Sequence, residues 1–295
     1  MLKNYGRCVV KTFSEIKITI APTPSDATVV ITATGFTQSG NSIVVFSGTS
    51  VTYTVSKTGY FTTTNTVTVY DNQTINVALE EAPYLPNQVV FESSTPGSYT
   101  LNLLAAGTYR VICVGGGGGA ASISSYRNGT GGSGASVAVA GGGSGGYSQS
   151  TVSLSAGAHH IQVGSGGTGA TGASSTGAEM RATGGTGGGS TFDNIVAANP
   201  GGGGYASGWT RSSSSYSGTT AGGGGTGTTT NGNVGGADKY DINVSLWTGT
   251  KSASGGASVY GGYGAGGSGS ATGGNNNPTA NNGGNGYVKV TFVSY

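Results

Sequence analysis

The stretch YRVICVGGGGGAA, residues Tyr109–Ala121, decides how this chain is read. Tyr109, Val111 and Cys113 alternate as a strand does. The strand then runs directly into five glycines. Glycine loses more backbone freedom on folding than any other residue, so the run is a slack linker unless something offsets that loss. The rest of the sequence decides between the two.

Of 61 glycines only six precede residue 107. The first part reads as all-β. Ile16, Ile18 and Ile20 alternate before a turn at Pro22–Asp26, and Val29 and Ile31 follow. Val51, Tyr53 and Val55 share a face, as do Val67 and Val69, then Ile75, Val77 and Leu79. Short strands between turn signals predict a small sandwich. After a break near Pro83–Gln88, strands recur at Val89–Val114, Tyr147–Gly164, Ser190–Asn199 and Gly286–Tyr295, with glycine runs between them. No segment has helical periodicity, so almost no α-helix is expected.

Gly and Ser without a repeat are a signature of disorder. Three features oppose it here. Strands bracket every glycine tract. Aromatics are interspersed (Tyr205, Trp209, Tyr216, Tyr240, Trp247, Tyr260, Tyr263), where flexible linkers have few. The runs are also short, three to five glycines each. Physics offers an ordered alternative. A three-residue-per-turn extended helix makes no internal hydrogen bonds, so side-chain-free copies can approach and bond to each other laterally. Every buried backbone group then finds a partner. No strict Gly-X-Y repeat is present, which excludes collagen.

Two resemblances add to this. Thr23-Pro24-Ser25-Asp26-Ala27-Thr28-Val29 and Thr58-Gly59-Tyr60 resemble motifs of the PEGA-type surface domain over about residues 15–81, although the Pro-Glu-Gly-Ala signature is missing. Residues 88–295 resemble the glycine-rich domain of phage tail and adhesin proteins, and more distantly the glycine-rich region of the anaplastic lymphoma kinase family. The matching pieces are Gly107–Gly115, GGGSGGYSQSTVSLSAGAHHIQVGSGG (Gly141–Gly167), GGGSTF (Gly187–Phe192), ANPGGGG (Ala198–Gly204) and GGNGYVKVTF (Gly283–Phe292). This resemblance implies a jelly-roll-like β-sandwich with projecting polyglycine-II helices. The expected organisation is an attachment segment (1–14), a PEGA-like sandwich (15–82), a linker (83–87) and the glycine-rich domain (88–295). The insert Tyr205–Ala253, long and aromatic, departs from the pattern.

Chemistry is sparse. Only 7% of residues are charged, against about 25% in ordinary domains. A net charge of +2 recruits neither nucleic acid nor an anionic membrane. The basic residues Lys3, Arg7, Lys11 and Lys17 read as solvated charge. Cys8 and Cys113 suggest no disulfide framework, and Cys113 reads as a buried hydrophobe. No signal peptide or membrane-spanning run is evident. His159 and His160 fall on opposite faces of a strand and read as structural. The glycine runs lack the Lys-Ser/Thr of a phosphate loop. Asp238 and Asp241 read as a polar loop, too few ligands for calcium. No G-x-S-x-G elbow has a partner histidine. Neither catalysis, a metal nor a cofactor is expected.

What remains is binding. Tyr and Trp among Ser, Thr and Asn suit sugars, whose faces stack on rings while small polar groups bond hydroxyls. Tyr205, Trp209, Tyr216, Tyr240 and Trp247 are the candidate ligand-binding residues; the alternative is that the rings lie flat on the glycine helices. The expected protein is a structural bacteriophage virion protein, a tail-fibre tip or adhesin on the particle exterior. It would be a homotrimer, bound to other virion proteins and to a host glycan or outer-surface protein. A head fibre or capsid decoration protein, a bacterial surface adhesin and a depolymerase are the alternatives.

Overall fold

In a computed structural model the protein is described over residues 14–127, 134–174, 180–211, 214–220, 222–227, 229–242, 250–272 and 277–295. It is all-β, and the described residues contain no helix. The chain divides between Leu85 and Pro86 into two compact units.

The first unit holds β1 (Glu15–Thr23), β2 (Thr28–Thr32), β3 (Gln38–Ser39), β4 (Ser42–Phe46), β5 (Thr49–Ser56), β6 (Thr63–Val69) and β7 (Gln73–Ala78). Two sheets, ordered β3-β4-β1-β7 and β2-β5-β6, enclose one core. Alternation fixes which face is buried: Ile16, Ile18, Ile20, Val51, Tyr53 and Val55 are all inside. The intervening residues face water, where Ser50–Thr68, Thr52–Thr66 and Thr54–Thr64 hydroxyls pair across β5 and β6 at 2.8–3.2 Å.

In the second unit the chain runs back and forth between two ends. It opens with β8 (Val89–Ser93), β9 (Gly97–Leu103) and β10 (Gly107–Val114). Tract 115–120 leads out to β11 (Ala121–Arg127) and β12 (Gly134–Ala140), and tract 141–146 leads back to β13 (Tyr147–Leu154) and β14 (Gly157–Val163). Tract 164–169 leads out to β15 (Ala170–Ser174) and β16 (Met180–Thr183), and 184–189 back to β17 (Ser190–Phe192) and β18 (Val196–Ala198). Tract 199–204 leads out to β19 (Tyr205–Arg211) and β20 (Ser214–Thr220). Tract 222–226 returns to bridges between Gly227 and Ala198 and between Thr230 and Tyr147. Tract 231–236 leads out to β21 (Ala237–Ile242) and β22 (Thr250–Ala253), and 254–258 back to a turn closed by the Tyr260–Tyr263 bridge. Tract 264–268 leads out to β23 (Gly269–Thr272) and β24 (Thr279–Ala280), and 281–286 returns to β25 (Tyr287–Ser294).

The near end is a sandwich of sheets β13-β10-β25-β8 and β18-β17-β14-β9. Its core holds Tyr109, Val111, Cys113, Ile161, Phe192 and Phe292, with the Tyr109 and Phe292 rings edge-to-face at 5.3 Å. Ser190–Asn199, read from sequence as one strand, is a hairpin. Asp193 and Asn194 take left-handed φ of 47° and 57°, which Asn and Asp tolerate best among side-chain-bearing residues.

Between the two ends the ten tracts form a hexagonal array. Gly115, Gly116 and Gly117 donate their N–H groups to Gly146, Gly188 and Gly284, three different tracts. Gly118, Gly119 and Ala120 then donate to Gly143, Gly185 and Asn281, the same three tracts three residues earlier. The period of three is that of the extended helix the sequence reading required. Carbonyls of 116–120 accept from three further tracts, at Gly201 and Gly204, Gly167 and Ala170, and Gly267. Tract 115–120 therefore has six bonded neighbours, and 141–146 has six by the same rule. The other eight close a ring around these two, each bonded to the next.

This geometry explains the composition. A Cβ on Gly116, Gly117, Gly118 or Gly119 would lie 1.9–2.0 Å from a neighbouring carbonyl oxygen. On four of the ring tracts every third position points outward and carries a side chain: Ser165 and Thr168, Asn231 and Val234, Ala265 and Ser268, Asn282 and Asn285. The Asn282 and Asn285 side chains in turn accept from Gly169 N–H (2.8 Å) and Gly166 N–H (3.1 Å).

Candidate functional site

At the far end three sheets stack: β16-β19-β20, then β15-β11-β12-β21, then β22-β23-β24. Small side chains allow the layers to close. Ala121, Ile123, Ala138, Ala182 and Ala206 fill one interface, and Val137, Val139, Ala253 and Ala271 the other. Ser124 Oγ bridges the second interface to Thr272 O at 3.2 Å.

Backbone register places the candidate residues. In the β19–β20 hairpin Trp209 is directly opposite Tyr216, and Tyr205 is opposite Thr220. Ala206 packs against the middle sheet, and alternation puts the positions of Tyr205, Ser207, Trp209 and Arg211 together on the other face, where Ser207 is itself buried. Cross-strand partners share a face, which adds Ser214, Tyr216, Gly218 and Thr220. From β16, Arg181 pairs with Ser207 and Thr183 with Tyr205; both are exposed. Three of the five candidate residues are thus gathered on one sheet face with two arginines.

The other two are not. Tyr240 pairs with Val137 in the middle sheet, on the side that packs toward β22-β23-β24. Trp247 lies outside the described residues. Asp238 and Asp241, read as a loop pair, are on strand β21. Three residues apart, they take opposite faces.

Residues 15–79 match the family described as the head fiber dimeric protein-like domain. The match takes in the strands of the first unit and suggests a fibre-type structural protein of a phage. It spans nearly the residues that carry the PEGA-like motifs. No curated protein matches the chain. A fibre-type assignment turns attention to surfaces rather than to enclosed chemistry.

The enclosed polar groups fit that emphasis. His159 is buried, its Nδ1 2.6 Å from Asp193 Oδ2 and its Nε2 2.9 Å from Ser155 O, with its ring stacked on Phe192 at 5.6 Å. A carboxylate and a carbonyl both accept, an arrangement that favours the charged imidazole, in which each ring nitrogen donates. Burial opposes that charge, but the Asp193 carboxylate and the Ser155 carbonyl outweigh it and hold the pKa above the ordinary histidine value. Asp193 Oδ1 also accepts from His160 N at 2.6 Å, tying the β17–β18 turn to β14. His159 is a structural tie. Cys113 is buried, and burial pushes its thiol pKa up to about 12.

Tyr260 and Tyr263, read from sequence among the glycine-tract aromatics, belong to the near end. Tyr147, Tyr260, Tyr287 and Tyr263 form a continuous stack with centroid spacings of 5.0, 5.8 and 4.2 Å. The stack covers Ile112 and Val114. Tyr287 Oη donates to Glu92 at 2.5 Å, and Lys289 closes on the same carboxylate at 3.4 Å. Burial and then Glu92 raise the Tyr287 pKa. These ring faces are occupied by one another. The sequence reading missed Arg181, Arg211 and Thr183 as members of the far-end face. The four-residue strand MRAT, set directly before Gly184-Gly185, was the available signal.

Proposed function

We propose that this chain is a fibre protein of the phage virion, held to the particle through its N-terminal unit, with its glycine-rich unit presenting the outer face of β16-β19-β20 to the host cell surface. The observation that supports this most is topological. Every out-and-back pair of tracts returns to the sandwich, so the aromatic hairpin β19–β20 sits at the end away from it. A rigid spacer carrying an aromatic face at its tip suits contact with an envelope glycan or outer-surface protein.

The family description favours the head over the tail as the place of attachment, and two copies over the three anticipated from sequence. Antibody labelling of intact particles viewed by electron microscopy distinguishes head from tail, and light scattering of the purified chain gives the copy number. Saturating host cells with purified protein is the functional test. Slower phage adsorption and saturable binding to cells are expected; absence of both refutes host contact and leaves a decoration protein. No catalytic role is proposed.

A further inference from the structure

We infer that Asn231, Asn282 and Asn285 are sites of spontaneous deamidation that the glycine array both creates and holds shut. The array creates them by geometry. Each of the eight outward residues on those four ring tracts is followed by glycine. A Cβ on that glycine would lie 1.9–2.4 Å from an atom of a neighbouring tract or strand. An asparagine placed outward on these tracts is therefore always an asparagine–glycine pair. In that pair side-chain cyclisation is least hindered, because no Cβ stands beside the attacking nitrogen.

The reaction needs only water. The glycine amide nitrogen loses its proton and attacks the asparagine side-chain carbon. A C–N bond forms, ammonia leaves, and water opens the cyclic imide to aspartate or isoaspartate. In the folded array both reacting groups are tied. The N–H groups of Gly232, Gly283 and Gly286 donate to Gly225 O (2.6 Å), Gly167 O (2.8 Å) and Gly164 O (2.8 Å). Oδ1 of Asn231, Asn282 and Asn285 accepts from Gly227 N (3.2 Å), Gly169 N (2.8 Å) and Gly166 N (3.1 Å). A nitrogen held as a donor keeps its proton, and an extended helix pinned by its neighbours cannot turn that nitrogen onto the side-chain carbon. All three asparagines are exposed, so the bonds, not burial, are the guard.

Conversion is one-way. Isoaspartate carries the chain through the former side chain and adds a methylene to the backbone. Asn281, Gly283 and Gly284 donate to Ser268, Gly167 and Ala265, three different strands or tracts. An extra backbone atom at position 282 throws these bonds out of step. A tract that opens long enough to react is thereby kept from closing again.

The test ages the full chain at mildly alkaline pH beside synthetic peptides spanning residues 228–236 and 279–288. Mass spectrometry with electron-transfer fragmentation locates the products. Each of the three sites should convert at least tenfold more slowly in the folded chain than in its peptide, and guanidinium chloride should bring the chain to the peptide rate. Any one site converting at the peptide rate in the folded chain, or protection that survives unfolding, overturns the inference. Ageing a few degrees below Tm supplies converted molecules, which anion exchange separates by their added charge. Isoaspartate at position 282 should abolish deuterium-exchange protection of tract 281–286. Asn282→Asp with Asn285→Asp carries the charge without the added atom and should keep that protection. Parental protection in the isoaspartate form, or its loss in the aspartate variant, refutes the one-way step.

Discussion

Gly118→Ala probes the array inside one of its two enclosed tracts. A Cβ there would lie 2.0 Å from Gly202 O and 2.4 Å from its carbonyl carbon. Ordinary contact begins at 3.4 Å, so tract 199–204 must back away by about 1.4 Å. The bonds holding that tract to 115–120 flank the site: Gly201 N to Gly116 O at 2.9 Å and Gly204 N to Gly119 O at 3.0 Å. Lengthened by that amount, neither remains a hydrogen bond. Each lost pair costs about 1–1.5 kcal/mol or more when its groups stay buried, and overpacking adds about 1–3 kcal/mol. The expected destabilisation is therefore about 3–6 kcal/mol. In a unit of this size that lowers Tm by roughly 10–20 °C. Gly223→Ala is the internal control: nothing lies within 4 Å of its Cβ, and the change should be neutral or stabilise by about 0.4–1 kcal/mol through the unfolded chain. Calorimetry of the two variants side by side decides the matter. Equal, small shifts in Tm would refute close lateral packing of the tracts.

Other expectations follow from the same contacts. Because the His159 pKa is raised, its contribution to stability is complete below the unfolded value of 6.5 and is lost as pH climbs through the folded value. Urea midpoints of the glycine-rich unit should therefore fall from pH 6 toward pH 9, and His159→Gln should flatten that slope; a slope unchanged by the substitution contradicts the assignment. In a Cys8→Ser background, Cys113 should resist aqueous thiol reagents until the protein unfolds, since burial disfavours the reactive thiolate; rapid labelling of native protein would count against the sandwich core. Amides of 115–120 and 141–146 should exchange with deuterium only through global unfolding, and exchange at unfolded-peptide rates would be incompatible with their bonding. Tyr260→Ala removes the half-buried ring between Tyr147 and Tyr287 and should cost about 1–3 kcal/mol, read as a lower Tm without change in far-UV dichroism.

Much of this was legible because strand alternation is a strong signal. Ile16, Ile18, Ile20, Val51, Tyr53 and Val55 could be assigned inward from spacing alone, and the lateral bonding of glycines followed from the need to satisfy buried backbone groups. The array's own period was harder to see. Outward residues recur every third position, as in Ser165 and Thr168 or Asn282 and Asn285, but only across six residues before a strand resets the phase. The two enclosed tracts show no outward position at all. The candidate face was half legible. Composition pointed to Tyr205, Trp209 and Tyr216, but their common face depends on hairpin register. Tyr240 looked equivalent in sequence and was separated from them by pairing with Val137. Arg181 joined them through a strand too short to announce itself.

The alternation of outgoing and returning tracts also bears on how such a protein can diversify. The far end is built from ten strands, β11, β12, β15, β16 and β19–β24, each led into or out of by a glycine tract in which most positions leave no room for an added atom. Mutation is thereby partitioned. The framework is nearly frozen, while exposed far-end positions such as Arg181 and Thr183 can change chemistry without entering the array. Descendants of such a chain would inherit a constant stalk and a replaceable tip.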